Sequence, residues 1–166
     1  MLSEVEEFIT ECRFSSREKT REAMREFLRR YGDDLPEETI ERAVSDENFD
    51  NWITYCDPDK PEELVAGLHY EHNDWYLCTL KNAAVKKEER GKGLGRQLYL
   101  DTANKAKADP ACLVLAADVT VDNEPSIKAL KRAGFKEVNT FCWGKGKKPA
   151  DIMHFVLYPP EGTECK

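Results

Sequence analysis

Residues 90–95 read Arg-Gly-Lys-Gly-Leu-Gly, and this stretch decides how the rest of the chain is interpreted. It follows a strand-like run and opens a helical pattern, and its three glycines let the backbone turn sharply and approach a ligand closely. The first N–H groups of a helix lack intrahelical acceptors and lie at the positive end of its dipole, so they form an anion site. Lys92 and Arg96 add side-chain charge beside it. The stretch therefore predicts a site for an anion such as a diphosphate.

Three other interpretations account for the glycine stretch less well. A Walker loop ends in Gly-Lys followed by Ser or Thr, and neither residue follows here. The dinucleotide fingerprint Gly-x-Gly-x-x-Gly opens a parallel β-α-β unit, whereas this stretch reads Gly-x-Gly-x-Gly after predicted antiparallel strands. A merely flexible loop leaves its position at a strand-to-helix junction unexplained.

Hydrophobic spacing on both sides of the stretch predicts alternating helices and strands. Ala23, Phe27 and Tyr31 recur every four residues and predict a helix over 17–31 that stops at Gly32, and Pro36 opens a second helix. The other predicted elements are antiparallel strands over 52–56, 64–71 and 75–85, a helix over 91–108, a strand over 112–117, a helix over 123–133, and closing strands over 136–143 and 152–158. Residues 5–14 fit a strand or a helix. This order indicates a mixed sheet flanked by helices, an α/β fold.

Length and composition predict a single domain over residues 1–166. With 166 residues, 40% hydrophobic and 34% charged, the chain can bury a core without a metal or disulfide and is too charged for a membrane protein. Its longest apolar run, 111–117, is far shorter than the roughly 20 residues of a membrane helix. The acidic start is unlike a basic signal peptide. We expect a cytoplasmic protein that does not bind membranes.

The charge divides at the glycine stretch. The net charge is -7, made up of -11 over residues 1–89 and +4 over residues 90–166. Nucleic-acid binding depends on neutralising phosphates, so the acidic excess argues against it. The basic half leaves room for a smaller anionic ligand. The acidic half would favour a cationic partner by electrostatic steering.

The cysteines and histidines indicate no metal or redox motif. No two of the six cysteines have Cys-x-x-Cys spacing. Buried free thiols of a reducing compartment are expected for the four in strand-like apolar runs, namely Cys56, Cys78, Cys112 and Cys142. The histidines His69, His72 and His154 are too scattered in the sequence to predict a metal site.

The pattern Arg90-x-x-Gly93-x-Gly95 resembles the pyrophosphate-binding motif of the GCN5-related N-acetyltransferase (GNAT) family. Val85 matches the last apolar residue of the strand before that motif, and Asn123-Glu-Pro-Ser126 with Ala133-Gly134-Phe135 is similar to the family's next helix. The resemblance spans residues 50–158 and, more loosely, the helices before them. It implies a mostly antiparallel mixed sheet, flanked by helices and splayed around the cofactor strand. Residues 1–50 would be the helical acceptor-side region and 51–158 the cofactor-binding core.

The resemblance implies acetyl-CoA as the cofactor. Backbone groups of Ala83 and Val85 would pair with the pantetheine arm like an added strand, and Asn123 and Ser126 would contact its lower part. The motif itself would hold the pyrophosphate through Arg90, Gly91, Lys92, Gly93, Leu94, Gly95 and Arg96. The cations of the following helix, Lys128, Lys131 and Arg132, fit either the 3′-phosphate or a solvated surface.

The activity implied is acetyl transfer to a primary amine of a small molecule or peptide, by direct attack in a ternary complex. The family often has a Tyr, the acid for the leaving thiolate, where this chain has Leu130, and Tyr158 is the candidate substitute. Glu71 and His69 are candidates for the base, with Glu71 preferred, because residues two apart share one strand face. The N-terminal helices and the basic loop 144–150 are expected to border the acceptor.

Two other functions stay open on this sequence. One is a CoA-binding sensor domain without catalysis, which Leu130 favours, and the other is a transferase that uses a different acyl-CoA. A homodimer through the late strands is a further hypothesis.

Overall fold

The computed structural model describes residues 12–143 and 150–157. Their helices and strands follow the predicted order: α1 Arg17–Tyr31, α2 Glu37–Ala43, β1 Trp52–Asp57, β2 Lys60–His72, β3 Leu77–Val85, α3 Leu94–Ala108, β4 Val114–Thr120, α4 Glu124–Arg132, β5 Lys136–Trp143 and β6 Ala150–Leu157. The segment predicted as strand or helix, 5–14, lies mostly outside the described residues, and residues 12–14 belong to neither.

The six strands of the described residues form one mixed sheet in the order β1-β2-β3-β4-β6-β5. The first three form the predicted antiparallel meander, and β4, β6 and β5 are also antiparallel to one another. The parallel pair β3–β4 is short, because only residues 77–79 pair with 114–116. Beyond this paired segment the two strands separate, and the sheet is splayed there. The mixed, mostly antiparallel splayed sheet is therefore confirmed.

A bulge bends β3 just before its end. Gly67 is opposite Ala84 and His69 is opposite Lys81, so β3 spends three residues where β2 spends two. An extra residue of this kind leaves backbone groups unpaired and increases the local twist. The bulge lies on the side of β3 that leads to the glycine stretch.

Helices cover the sheet on both faces. On one face, α3 and α4 bury Leu98 and Leu130 against Leu68 and Phe155, all at most 1% exposed. On the other face, a cluster that joins α1 and α2 to β1–β3 contains Leu28, Ile40, Trp52 and Ala84. The Trp52 indole also donates to the Ala43 carbonyl at 2.9 Å, which fixes the end of α2 against β1.

The ends of three predicted elements differ from the structure for local reasons. Strand β3 begins at Leu77, because Asn73 N–H donates to the Leu77 carbonyl at 2.9 Å and closes a turn that leaves Trp75 77% exposed. Strand β4 begins at Val114, since Cys112 N–H bonds the Asp109 carbonyl at 3.0 Å in a turn after α3. Helix α3 begins at Leu94, because Gly93 takes the left-handed φ of 86°.

The expectation of buried free thiols is wrong for Cys56, which is disulfide-bonded, and for Cys142, which is free but exposed. Cys12 and Cys56 form a disulfide that ties the segment before α1 to β1. The backbone explains the pairing, because Arg13 N–H donates to the Pro61 carbonyl at 2.8 Å and brings residue 12 beside the β1–β2 hairpin. Disulfides are unusual in a reducing cytoplasm, so this bond weakens the basis of the expected location.

The other described cysteines, Cys78, Cys112 and Cys142, are free. Among the described residues, no helix is both long and apolar enough to cross a membrane.

Candidate active site

A cleft of about 610 Å³ opens beside the end of β3, beyond the residues of β3 that pair with β4. Residues from four segments line it: 83–85 at the end of β3, several residues between 89 and 99 around the start of α3, several between 123 and 129 around the start of α4, and Tyr31 and Asp33 at the end of α1. The glycine stretch, the bulged strand and the asparagine helix therefore meet at one cavity, although 40 residues separate Ala83 from Asn123.

The start of α3 forms the polar end of the cleft. The first intrahelical bond runs from Gln97 N–H to the Gly93 carbonyl at 3.1 Å, and no side chain caps the helix. The N–H groups of Leu94, Gly95 and Arg96 precede that bond, so they belong to the unsatisfied first turn of the helix. All three residues line the cleft. This end has the donors and the dipole that an anion requires.

The glycines keep this end open. Gly91 and Gly93 adopt φ of 83° and 86°, which side chains rarely tolerate. A Cβ placed on Gly91 or Gly95 would meet no heavy atom within 4 Å, so the space in front of each is a cradle that a side chain would enter. The residues present therefore fit a diphosphate-bearing ligand at this end.

The two sides of the cleft are strand edge and helix terminus. Ala83 and Val85 line one side, on the part of β3 that has left β4. On the other side the Asn123 side chain caps α4 by accepting from Ser126 N–H at 3.4 Å, and the Tyr99 hydroxyl donates to Ser126 Oγ at 3.4 Å. A ligand in the cleft lies between a free strand edge and this polar pair.

Only some of the cations predicted to bind the cofactor line the cleft. Arg90 and Arg96 line the cleft, and Arg90 Nε donates to the Val85 carbonyl at 3.0 Å. Lys92 does not line it, and its Nζ lies 2.7 Å from Glu89 Oε2. The three cations of α4 lie outside the lining as well, and Lys128 pairs with Glu124 at 2.9 Å.

The two predicted bases form a buried pair on the face that carries α1 and α2. His69 is fully buried and stacks on Trp52 with ring centroids 4.5 Å apart. Its Nε2 lies 3.2 Å from Glu71 Oε1, and Arg42 Nε lies 3.6 Å from the other Glu71 oxygen. Burial lowers the pKa of His69, and the hydrogen bond from His69 lowers the pKa of Glu71. Both groups are held by neighbours, which is the geometry of a structural pair.

A second pair of an acid and a histidine, Asp118 and His154, lies on the same face of the sheet, on β4 and β6. Residues paired across neighbouring strands lie on the same face of the sheet. Glu71 pairs with Thr79, and Thr79 pairs with Ala116, so these three side chains form one row across β2, β3 and β4. Asp118 is two residues beyond Ala116 and is opposite His154 on β6. His154 Nδ1 lies 2.5 Å from Asp118 Oδ1, and the two side chains are 29% and 45% exposed. This pair is more accessible than His69 and Glu71.

Three positions bear on the proton donor to the leaving thiolate: Leu130, Tyr99 and Tyr158. Leu130 is fully buried in the core, so its position offers no proton donor to the cleft. Tyr99 on α3 does line the cleft, and burial raises the pKa of its hydroxyl, which stays protonated. Tyr158 lies outside the described residues, as do residues 144–149 of the basic loop.

Sequence reasoning missed Tyr99 and the Asp118–His154 pair. Tyr99 follows Gly95 by four residues and so lies on the same helix face, a signal that could have been read. The Asp118–His154 contact joins two strands 36 positions apart, and only the pairing of β4 with β6 reveals it.

Comparisons with known proteins agree with this geometry. The sequence model of the Acetyltransferase (GNAT) family matches residues 17–135. No curated protein matches the sequence. The ribosomal-protein-S18-alanine N-acetyltransferase of Escherichia coli superposes with a TM-score of 0.69 at 17% identity, over 88% of this chain and 92% of that chain.

Two further solved structures share the fold. The putative acetyltransferase yncA of Salmonella typhimurium, solved with acetyl-CoA, gives a TM-score of 0.68 at 16% identity, over 93% of this chain and 96% of that one. NAA60 of Arabidopsis thaliana, in complex with a bisubstrate analogue, gives 0.64 at 17% identity, over 90% and 96%. The family match covers most of the chain, and this protein belongs to the GNAT acetyltransferase family.

Proposed function

We propose that this protein transfers the acetyl group of acetyl-CoA to a primary amine by direct attack in a ternary complex. The observation that carries the proposal is the cleft at the splay, where the open start of α3 and the free edge of β3 line one cavity. The solved relative yncA holds acetyl-CoA in the same fold, which supports this choice of cofactor.

The backbone would hold most of the cofactor. The first-turn N–H groups at residues 94–96, with the Arg90 and Arg96 side chains, would bind the pyrophosphate. The β3 edge at Ala83 and Val85 would pair with the amides of the pantetheine arm, and Asn123 and Ser126 would bind its lower part. When bound, acetyl-CoA supplies an activated thioester, and a backbone N–H of the bulged strand would stabilise negative charge on its carbonyl oxygen.

The acceptor amine must lose a proton before it attacks. A lysine-like amine has a pKa near 10.4, so neutralising it at pH 7 costs about 4.6 kcal/mol. We assign the proton acceptor to His154. Its Nδ1 faces the Asp118 carboxylate, which fixes the tautomer with the lone pair on Nε2. Glu71 is less suited, because its contacts with His69 and Arg42 stabilise the ionised form.

The leaving thiolate needs a proton, and we assign its delivery to Tyr99. This tyrosine lines the cleft beside Ser126, and its raised pKa keeps the phenol in the donating form. It would take the role that Leu130 cannot fill. Tyr158 remains a second candidate.

The acidic surface of the N-terminal half should attract a cationic acceptor less strongly than its net charge alone predicts. Several acids of α1 and α2 are already paired with arginines, as in Arg25–Glu41 and Arg29–Glu37. Their field at a distance is therefore partly cancelled, and we place acceptor recognition at the Asp118–His154 face instead.

The test is a thiol-release assay with acetyl-CoA and a panel of polyamines, lysine peptides, peptide N-termini and aminoglycosides, with products identified by mass. We expect amine-dependent CoA release and an acetylated product for at least one class. Acetyl-CoA binding with no release above hydrolysis for any class would replace the enzyme by the CoA-binding sensor. Mass spectrometry of ligand that co-purifies with the protein would identify a different acyl donor.

A further inference from the structure

One cation beside the splay has no partner. Lys81 on β3 pairs with His69 on β2, so both side chains lie on the same face of the sheet. This face, the acceptor face, also carries Glu71, Asp118 and His154. The Lys81 side chain is only partly exposed, and among the described residues its ammonium forms no ion pair and no hydrogen bond. Such a lysine is unusual, because a charge that loses water costs free energy unless an opposite charge compensates it.

Lys81 lies where β3 and β4 begin to separate. Thr79 and Ala116 are the last residues that pair between these strands. Two residues further along the same face, Lys81 follows on β3 and Asp118 on β4. The opening of the splay is therefore flanked by Lys81 on one side and by Asp118, with its partner His154, on the other.

The phosphates of the cofactor are not the missing partner of Lys81. Lys81 does not line the cleft, whereas Ala83, Ala84 and Val85 do. The start of α3, where the pyrophosphate would bind, comes after Val85 in the chain. Lys81 precedes Val85 by four residues, which is about 13 Å along a regular strand. Lys81 is therefore nearer to the thioester end of the proposed cofactor position than to its pyrophosphate end.

The charges of the acceptor face are arranged to suit a ligand with both signs of charge. Glu71 lies 3.6 Å from Arg42, so this carboxylate has a cationic partner. Asp118 contacts only the imidazole of His154, which is neutral when it acts as the proton acceptor. One carboxylate and one ammonium, those of Asp118 and Lys81, are then left uncompensated on opposite sides of the splay. An acceptor with complementary charges would place its amine at Asp118 and His154 and an anionic group at Lys81.

Two other roles for Lys81 fit these observations less well. A structural role requires a contact, and the ammonium makes none among the described residues. A polycationic acceptor would bring a second ammonium towards Lys81, and like charges placed together cost free energy. A single lysine supplies one compensating charge, which suits a carboxylate better than a phosphate dianion.

We propose that Lys81 binds a carboxylate of the acceptor, so that the acceptor is an amino acid or another primary amine with a carboxylate close to the amine. This role of Lys81 rests on the proposed acetyl transfer and specifies its acceptor. The ammonium donates to the carboxylate in a charge-assisted hydrogen bond, which strengthens as the two substrates exclude water from the splay. Lys81 is a specificity-determining residue and takes no part in proton transfer.

The test compares amino acids with their carboxamides as acceptors, using acetyl-CoA in the thiol-release assay and identifying products by mass. The panel contains the α-amino acids, β-alanine and 4-aminobutyrate. An amide also changes the pKa of the amine, so the decisive quantity is the ratio of kcat/KM for acid and amide in each variant. Lys81→Met should lower this ratio about tenfold to a hundredfold, mainly by raising KM for the acid.

Two further variants serve as controls. Lys81→Arg should keep the preference for the acid, because it keeps the positive charge. Lys107→Met changes a lysine on the exposed surface of α3 in the same way and should leave the ratio at the wild-type value.

An unchanged ratio in Lys81→Met would overturn the role of Lys81 and leave the proposed function standing. Turnover of other amines with none of the carboxylate-bearing ones would do the same, and it needs only the wild-type chain if Lys81→Met fails to fold. CoA release with no amine at all would contradict the proposed function instead. Calorimetry of the same acids and amides against the CoA-saturated wild-type chain would then decide the role of Lys81, and equal affinities would overturn it.

Discussion

The cofactor cleft and the proposed acceptor face are built in opposite ways. The cleft is made largely of backbone, from a helix N-terminus, a strand edge and glycines that keep the space open. The acceptor face is made of side chains, including Glu71 on β2, Asp118 on β4 and His154 on β6. One surface depends on local conformation and the other on how distant strands pair.

That difference explains what each surface can bind. Backbone donors at a helix start recognise a phosphate whatever the neighbouring side chains are, so one motif serves a common cofactor. Side chains drawn from three strands can change one at a time without altering the sheet. The proposed acceptor face is therefore where we expect specificity to vary while the fold and cofactor stay the same.

The largest expected effect comes from filling the cleft without disturbing the fold. Gly95→Leu places a side chain in open space within the first turn of α3. Acetyl-CoA affinity should fall at least about a thousandfold, which is about 4.1 kcal/mol. Calorimetry measures the loss. The melting temperature should stay level or rise, because Leu is a better helix former than Gly.

Asn104→Leu is the matched control for this change, since it adds the same side chain to an exposed position of α3. It should bind acetyl-CoA like the wild type. Wild-type affinity in Gly95→Leu would mean that the anion site has been assigned to the wrong end of the cleft.

Removing the Cys12–Cys56 disulfide should lower the free energy of unfolding without changing cofactor affinity. Cys12→Ser removes a cross-link spanning 44 positions, and loops of this length contribute about 4 kcal/mol to the free energy of unfolding. Urea titration without reductant measures the loss, with Cys142→Ser as the control. Acetyl-CoA affinity should not change. An unaltered unfolding curve would show that the bond does not form in solution.

The substitution His154→Gln tests the proposed acceptor face. We expect kcat to fall about a hundredfold because the amine loses its proton acceptor, while the dissociation constant of acetyl-CoA stays at the wild-type value. Asp118→Asn should act in the same direction, because the imidazole loses the partner that fixes its tautomer. Steady-state kinetics with varied acceptor distinguishes the two surfaces. Normal turnover in His154→Gln together with an inactive Glu71→Gln would move the base to Glu71.

A smaller effect should identify His69 and Glu71 as a structural pair. Burial lowers the native pKa of His69 below 6.5, so below that pH the unfolded chain binds a proton that the native chain does not. Stability should therefore fall as pH drops from about 7 to 5. The lowered pKa of Glu71 acts in the same direction below 4.5.

Urea unfolding across this pH range measures the slope. His69→Gln should flatten the part between about pH 7 and 5 and leave the more acid part in place. An unchanged slope in the variant would show that other groups cause the acid sensitivity.

Most of the fold and the cleft could be predicted because their determinants are local. The turn at residues 90–95, the spacing of Ala23, Phe27 and Tyr31, and the cap at Asn123 each depend on neighbours within a few positions. The Asp118–His154 contact and the Cys12–Cys56 bond each join residues far apart in sequence. A single sequence carries no periodic signal for such contacts, since they follow from tertiary pairing.

The central claim is that the start of α3 binds the cofactor through its pyrophosphate. It is tested most directly by comparing acetyl-CoA with S-acetylpantetheine, which keeps the thioester and the arm but lacks the pyrophosphate and the 3′-phosphoadenosine attached to it, in calorimetric titrations of the wild-type chain. We predict that acetyl-CoA binds at least about a hundredfold more tightly, or about 2.7 kcal/mol. Equal affinities for the two ligands would contradict the claim.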